Sequence, residues 1–137
     1  NKISGPLLDR IDLHVEVTPV PFSELNKQQN SEGSLQIRER VVKARAIQSK
    51  RFAENEFIHC NAQMGSRELK IYCSLDDAGN SLLKNAMERL GLSARAYDRI
   101  LKVARTIADL DTSEKIAPNH LAEAIQYRSL DREGWAG

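Results

Sequence analysis

Ser93-Ala94-Arg95-Ala96-Tyr97-Asp98-Arg99-Ile100-Leu101-Lys102-Val103-Ala104-Arg105-Thr106-Ile107-Ala108-Asp109-Leu110 is the stretch on which the fold turns. Tyr97, Ile100, Leu101, Ala104, Ile107 and Ala108 recur at steps of three and four without a gap, the stripe of an amphipathic helix. Ser93 stands just ahead of that stripe, where a hydroxyl caps the free amides of a first turn. On its N-terminal side, Gly91 ends a second helix as a left-handed cap. That helix starts at Asp76 or Asp77, and Leu82, Leu83, Ala86, Met87 and Leu90 form its stripe. Ser66 opens a short helix with Leu69, Tyr72 and Cys73 on one side. On the C-terminal side, Pro118 suits a first helical position and starts a helix with Leu121, Ala122 and Ile125 inward. Helices joined by short polar turns make a bundle.

Further out, Ser34 is expected to cap a long helix reaching Phe52, with Ile37, Val41, Ala44 and Gln48 on a narrow stripe. Ahead of it, Gly5-Pro6-Leu7-Leu8 reads as a helical turn. Ile11, Leu13, Val15 and Val17 then alternate with Asp12, His14 and Glu16, the period of a half-buried strand. Pro19 and Pro21 stop that strand, since neither donates to a ladder. The expected class is therefore mainly α, a helical bundle with a short N-terminal strand. Its parts are a turn and strand (1–17), a polar linker loop (18–33), a long basic helix (34–52), a connecting loop (53–65), the bundle (66–130) and a tail (131–137).

Among the 137 residues, 41% are hydrophobic and 28% charged, a globular composition. Twenty basic residues against nineteen acidic ones leave +1, too little to imply nucleic acid by net charge alone. No apolar run approaches membrane-spanning length. Cys60 and Cys73 fit neither a disulfide framework nor a paired zinc motif, and reduced thiols in a cytoplasm are the expectation. The chain opens without Met directly into patterned sequence, so it is expected to be part of a longer protein.

None of the seven glycines is followed by lysine, so the phosphate cradle of a P-loop is missing from these residues. His14, His59 and His120 show no metal-ligand spacing with one another or with the cysteines, and satisfied or exposed polar roles are expected for them; no metal site is expected. The long helix is basic: Arg38, Arg40, Lys43, Arg45, Lys50 and Arg51 stand against Glu39. Such a stripe tracks a phosphate backbone or is simply a solvated face, and no aromatic residue is interleaved to stack bases. Arg10 sits at an element boundary. Arg95 lies in the first turn after the Ser93 cap, where a cation is unfavourable against the helix dipole. Either an anion such as phosphate binds beside it, or it pairs with Asp98 or Glu88.

The segment Lys2 to His14, with Leu7-Leu8-Asp9-Arg10 at its centre, resembles the end of the AAA+ core in magnesium-chelatase-like ATPases of the YifB/ComM group. Asn61-Ala62-Gln63-Met64, the run Gly91 to Leu110, and Ala122 to Arg128 with the Ser129-Leu130-Asp131-Arg132 ending resemble the same group. Magnesium-chelatase I subunits share the layout but usually read Phe-Gly-Met-His where this chain has Ile11-Asp12-Leu13-His14.

The resemblance implies the nucleotide-sensing lid of a ring-forming ATPase, preceded by the turn that carries its arginine finger. Arg10 takes the finger role, offered to ATP held by a neighbouring subunit, with Asp9 in support. Arg95 maps to the sensor-2 arginine that contacts nucleotide. The long helix resembles the insertion ahead of sensor 2, and Arg38, Arg40 and Lys43 are its candidate DNA contacts. ATP and Mg²⁺ are implied for the parent protein, with none held by this chain alone. The implied partners are further copies in a ring, expected as a hexamer, and DNA, handled as a branch-migration helicase of the ComM type; no membrane is implied. The competing readings are a chelatase I-type motor subunit, or a helical protein-interaction or DNA-binding module without nucleotide.

Overall fold

The computed structural model describes residues 4–25 and 31–128, and the expected tail at 131–137 and part of the 18–33 linker lie outside them. In chain order the helices are α1 (Gly5–Arg10), α2 (Phe22–Leu25), α3 (Ser34–Arg51), α4 (Ser66–Tyr72), α5 (Asp77–Leu90), α6 (Ala94–Leu110) and α7 (Pro118–Gln126), with a 3-10 turn at Asn61–Gln63. The protein is a helical bundle.

α6 is the axis of the bundle, packing against α1, α3, α4 and α7. Ala96, Ile100, Ala104 and Ala108 are fully buried along it. The small residues among them let α7 approach closely, where Leu121, Ala124 and Ile125 face inward and Ala122 is exposed. Leu83 and Ala86 of α5, Leu69 of α4 with Cys73 just after it, and Phe52 and Met64 close the core. Burying one such large side chain contributes about 1.5–3 kcal/mol. Tyr97, expected inward, is 40% exposed because its position falls at the rim of the stripe.

The helix ends follow local chemistry. Ser93 caps as expected, accepting from Ala96 N–H at 3.2 Å, and of Asp76 and Asp77 it is Asp76 that caps α5, accepting from Gly79 N–H at 2.7 Å. Gly91 closes α5 at φ 61° and ψ 42°, and Leu92 N–H reaches back to the Met87 carbonyl at 3.1 Å. Ser34 and Ser66 are not caps. Gly33 and Gly65 hold those positions, and Gln36 and Glu68 accept from their amides at 2.7 and 2.9 Å. His120 does the same for α7: its Nδ1 accepts from Ala117 N–H at 2.9 Å. The proton therefore sits on Nε2, which donates to Asp111 at 2.7 Å.

The strand expected over Ile11–Val17 does not form, and no strand occurs among the described residues. A strand needs a ladder partner, and this segment makes one backbone bond to a distant residue, His14 N–H to the Tyr127 carbonyl at 2.7 Å. The alternation is inverted as well. His14 is the buried member, while exposure climbs from 36% at Ile11 to 87% at Val17. Nor is the stripe of α3 covered along its length. Ala44 and Gln48 are buried, whereas Ile37 and Val41 are 45% and 42% exposed, because only the C-terminal half of α3 meets the bundle.

Candidate functional site

Arg10 is the last residue of α1, a turn whose entry is capped by Ser4, which accepts from Leu7 N–H at 3.3 Å. Leu8 is buried and anchors the turn, which leaves Arg10 exposed at a helix C-terminus, where a cation is favourable. Arg95, Arg99 and Lys102 project from one face of α6 at helical spacing. These four cations and Asp98 line one open recess of about 300 Å³.

The four are not equivalent. Arg99 pairs with Asp12 at 2.5 Å, and Lys102 donates to the Ala62 carbonyl at 3.1 Å. Arg10 and Arg95 have no ion-pair partner among the described residues, so the pairing of Arg95 with Asp98 or Glu88 does not occur there. The fold thus brings together two arginines from opposite ends of the sequence. Asp9 is half-buried and does not line the recess. Arg38, Arg40 and Lys43 lie elsewhere, exposed on the projecting half of α3, and Arg40 is engaged by Glu32.

Two sets of contacts hold this geometry. Arg128, fully buried, donates to the carbonyls of Ile11 and Leu8, the latter at 3.1 Å, while His14 Nε2 donates to the same Leu8 oxygen at 3.3 Å. Further along α6, near its C-terminal end, Arg51 grips buried Asp109 with two bonds of 2.8 and 2.7 Å. Asn61 Nδ2 donates to Asp109 at 2.8 Å and to Thr106 at 3.0 Å, and its amide N–H is held by Gln48 at 2.9 Å. The Arg51 guanidinium lies 5.9 and 5.8 Å from the Phe52 and Tyr72 ring centres. Hydrogen bonding to Asp109 raises the Arg51 pKa, whereas burial lowers that of Arg105.

Arg99, Lys102, Arg128 and Asp109 were not identified as functional from the sequence. Helical spacing from Arg95 was the available signal for the first two. Arg128 had none, because the groups it holds at α1 are backbone carbonyls.

A recess with four cations and one carboxylate, beside a helix N-terminus, suits a polyphosphate. Among the described residues no cluster of His, Cys, Asp and Glu is arranged to hold a metal ion. No helix there is long and apolar enough to cross a membrane. His59 is exposed, Cys60 half-buried and Cys73 buried, and burial pushes the Cys73 thiol up to about 11.

Residues 31–128 match the family described as magnesium chelatase, subunit ChlI C-terminal. The chain is 46% identical to the competence protein ComM of Haemophilus influenzae over 133 residues, 96% of this chain and 25% of that protein. It is 43% identical to YifB of Escherichia coli over 133 residues, with the same two shares, and 40% identical to YifB of Salmonella typhimurium over 134 residues. It spans about a quarter of the length of these relatives. This chain belongs to the magnesium chelatase, subunit ChlI C-terminal, family.

Proposed function

We propose that this chain is the nucleotide-sensing lid, with the arginine-finger turn attached, of a chelatase-like AAA+ ATPase that works as a ring, expected to be a hexamer, in the cytoplasm. The observation that carries the reading is the shared recess: Arg10 and Arg95 line it together and neither is neutralised by an ion pair among the described residues. A guanidinium set on a γ-phosphate stabilises the charge that develops in phosphoryl transfer. A second one beside it reports that the nucleotide is present. ATP and Mg²⁺ are thus the parent protein's ligands, with Arg10 serving a neighbouring subunit, Asp9 behind it and Arg95 reading the phosphates.

DNA is the proposed substrate, handled in branch migration. The likeness to ComM supports this choice over a porphyrin-metallating motor, and so does the exposed basic half of α3 with Arg38, Arg40 and Lys43.

The test is ATP turnover by the full-length protein with and without single-stranded and branched DNA, for wild type and Arg10→Ala. The wild type should hydrolyse ATP faster on branched DNA. Arg10→Ala should bind ATP nearly normally yet lose turnover by about 10³–10⁵-fold, the contribution of an arginine finger. Wild-type turnover in Arg10→Ala would remove the finger assignment, and indifference to every DNA would remove the substrate.

A further inference from the structure

We propose that Arg128, assisted by His14, aims Arg10; this rests on the reading of Arg10 as a finger. α1 ends at Arg10, and there the Leu8 carbonyl accepts from the Ile11 N–H at 3.1 Å and keeps a second lone pair for another donor. Arg128 donates to that Leu8 carbonyl, ahead of Arg10, and to the Ile11 carbonyl just past the helix, with the two prongs of one guanidinium. A fully buried cation requires such partners. Two of its partners here are carbonyls of residues that bracket Arg10, Leu8 before it and Ile11 after it.

His14 closes the arrangement from the chain that follows. Its ring donates to the Leu8 carbonyl, and its N–H donates to Tyr127, next to Arg128. The end of α7 and the end of α1 are therefore joined by side-chain and backbone bonds. α7 packs along α6, the helix that carries Arg95. The turn that ends at Arg10 is thus tied, through α7, to the helix that carries Arg95 by a residue that does not line their recess. Arg128 is a positioning residue acting through Arg10.

Arg128→Lys in the full-length protein keeps a cation but loses the planar fork that spans two carbonyls. It should lower kcat about 10²-fold, as a misplacement of ~1 Å does, with the KM for ATP and ring assembly unchanged. Mixed with subunits that have wild-type Arg10, Arg128 and His14 but cannot hold nucleotide, the variant should regain turnover, because the neighbour then supplies a well-aimed finger. Arg10→Ala is the control and should regain turnover in the same mixture. His14→Ala is the gentler second variant, with the same pattern and a smaller loss, and it decides the matter if Arg128→Lys does not fold.

Wild-type kcat in the folded variants overturns the proposal. So do mixtures in which Arg10→Ala recovers and the positioning variants do not. If Arg10→Ala turns over normally, or fails to recover in mixed rings that assemble, the finger reading falls and the proposal falls with it.

Discussion

Arg51 and Asp109 meet through both ends of their side chains, NH1 to Oδ2 at 2.8 Å and NH2 to Oδ1 at 2.7 Å, and so clamp the end of α3 to the end of α6. Asp109 also pairs with Arg105 at 3.2 Å and accepts from Asn61. One buried carboxylate serves two arginines. Asp109→Ala should therefore destabilise the chain by about 3–5 kcal/mol, since it leaves buried cations without their counter-charge. Urea denaturation followed by circular dichroism reads this directly, and a loss under about 1 kcal/mol would mean that water reaches the pair.

Arg95 should separate stability from function. It is exposed in the first turn of α6 without an ion-pair partner among the described residues, at the positive end of the dipole. Arg95→Ala should leave the thermal stability of this chain equal or higher by about 0.3–1 kcal/mol. The same substitution should cut ATP turnover strongly in the full-length protein. A destabilised chain together with normal hydrolysis would make Arg95 a structural residue.

The projecting half of α3 offers a salt-sensitive test. Reversing Arg38, Arg40 and Lys43 to Glu in the full-length protein should weaken DNA binding most at low ionic strength, as phosphate contacts require. Arg38 and Lys43 should account for more of the change than Arg40, which Glu32 already engages. Binding that is unchanged from low to high salt would identify that surface as solvated only.

Cys73 makes stability fall in alkali. Burial raises its pKa from 9.0 to about 11, so the folded state holds the proton over a range in which the unfolded chain releases it. The contribution is whole below pH 9 and is lost progressively as the pH rises towards 11. Melting temperatures of the wild type should drop more steeply across that window than those of Cys73→Ala, measured from its own starting value. In alkylation of the native chain, half-buried Cys60 should react well ahead of Cys73.

The helices were legible in the sequence because periodicity and caps are local. The α6 stripe and the caps at Asp76, Ser93 and Gly91 depend on neighbours within a few residues, and each occurs where the pattern places it apart from Tyr97 at the rim of the stripe. Ser34 and Ser66 misled for the same local reason: a preceding glycine with an acceptor three residues on satisfies the cap equally well.

The alternation at Ile11–Val17 forms no strand for a longer-range reason. Alternation states which side of a segment is apolar, but whether a ladder forms depends on a second segment alongside it. Likewise Ile37 and Val41 carry a helical stripe that the bundle does not reach.

By itself, then, the sequence determined the helices other than α2, which lies in the stretch expected as a linker loop, and most of their inward faces, and its motifs marked Arg10 and Arg95 as the arginines to watch. Only the tertiary structure decided that these two share one recess, that Arg99 and Lys102 join them, and that Arg128 holds the turn beneath Arg10. The physical reason is range. Helix periodicity and capping act over one or two turns, whereas the recess and its support arise from side chains far apart in sequence that meet once α1, α6 and α7 have packed, and several of their partners are carbonyl oxygens that every residue possesses.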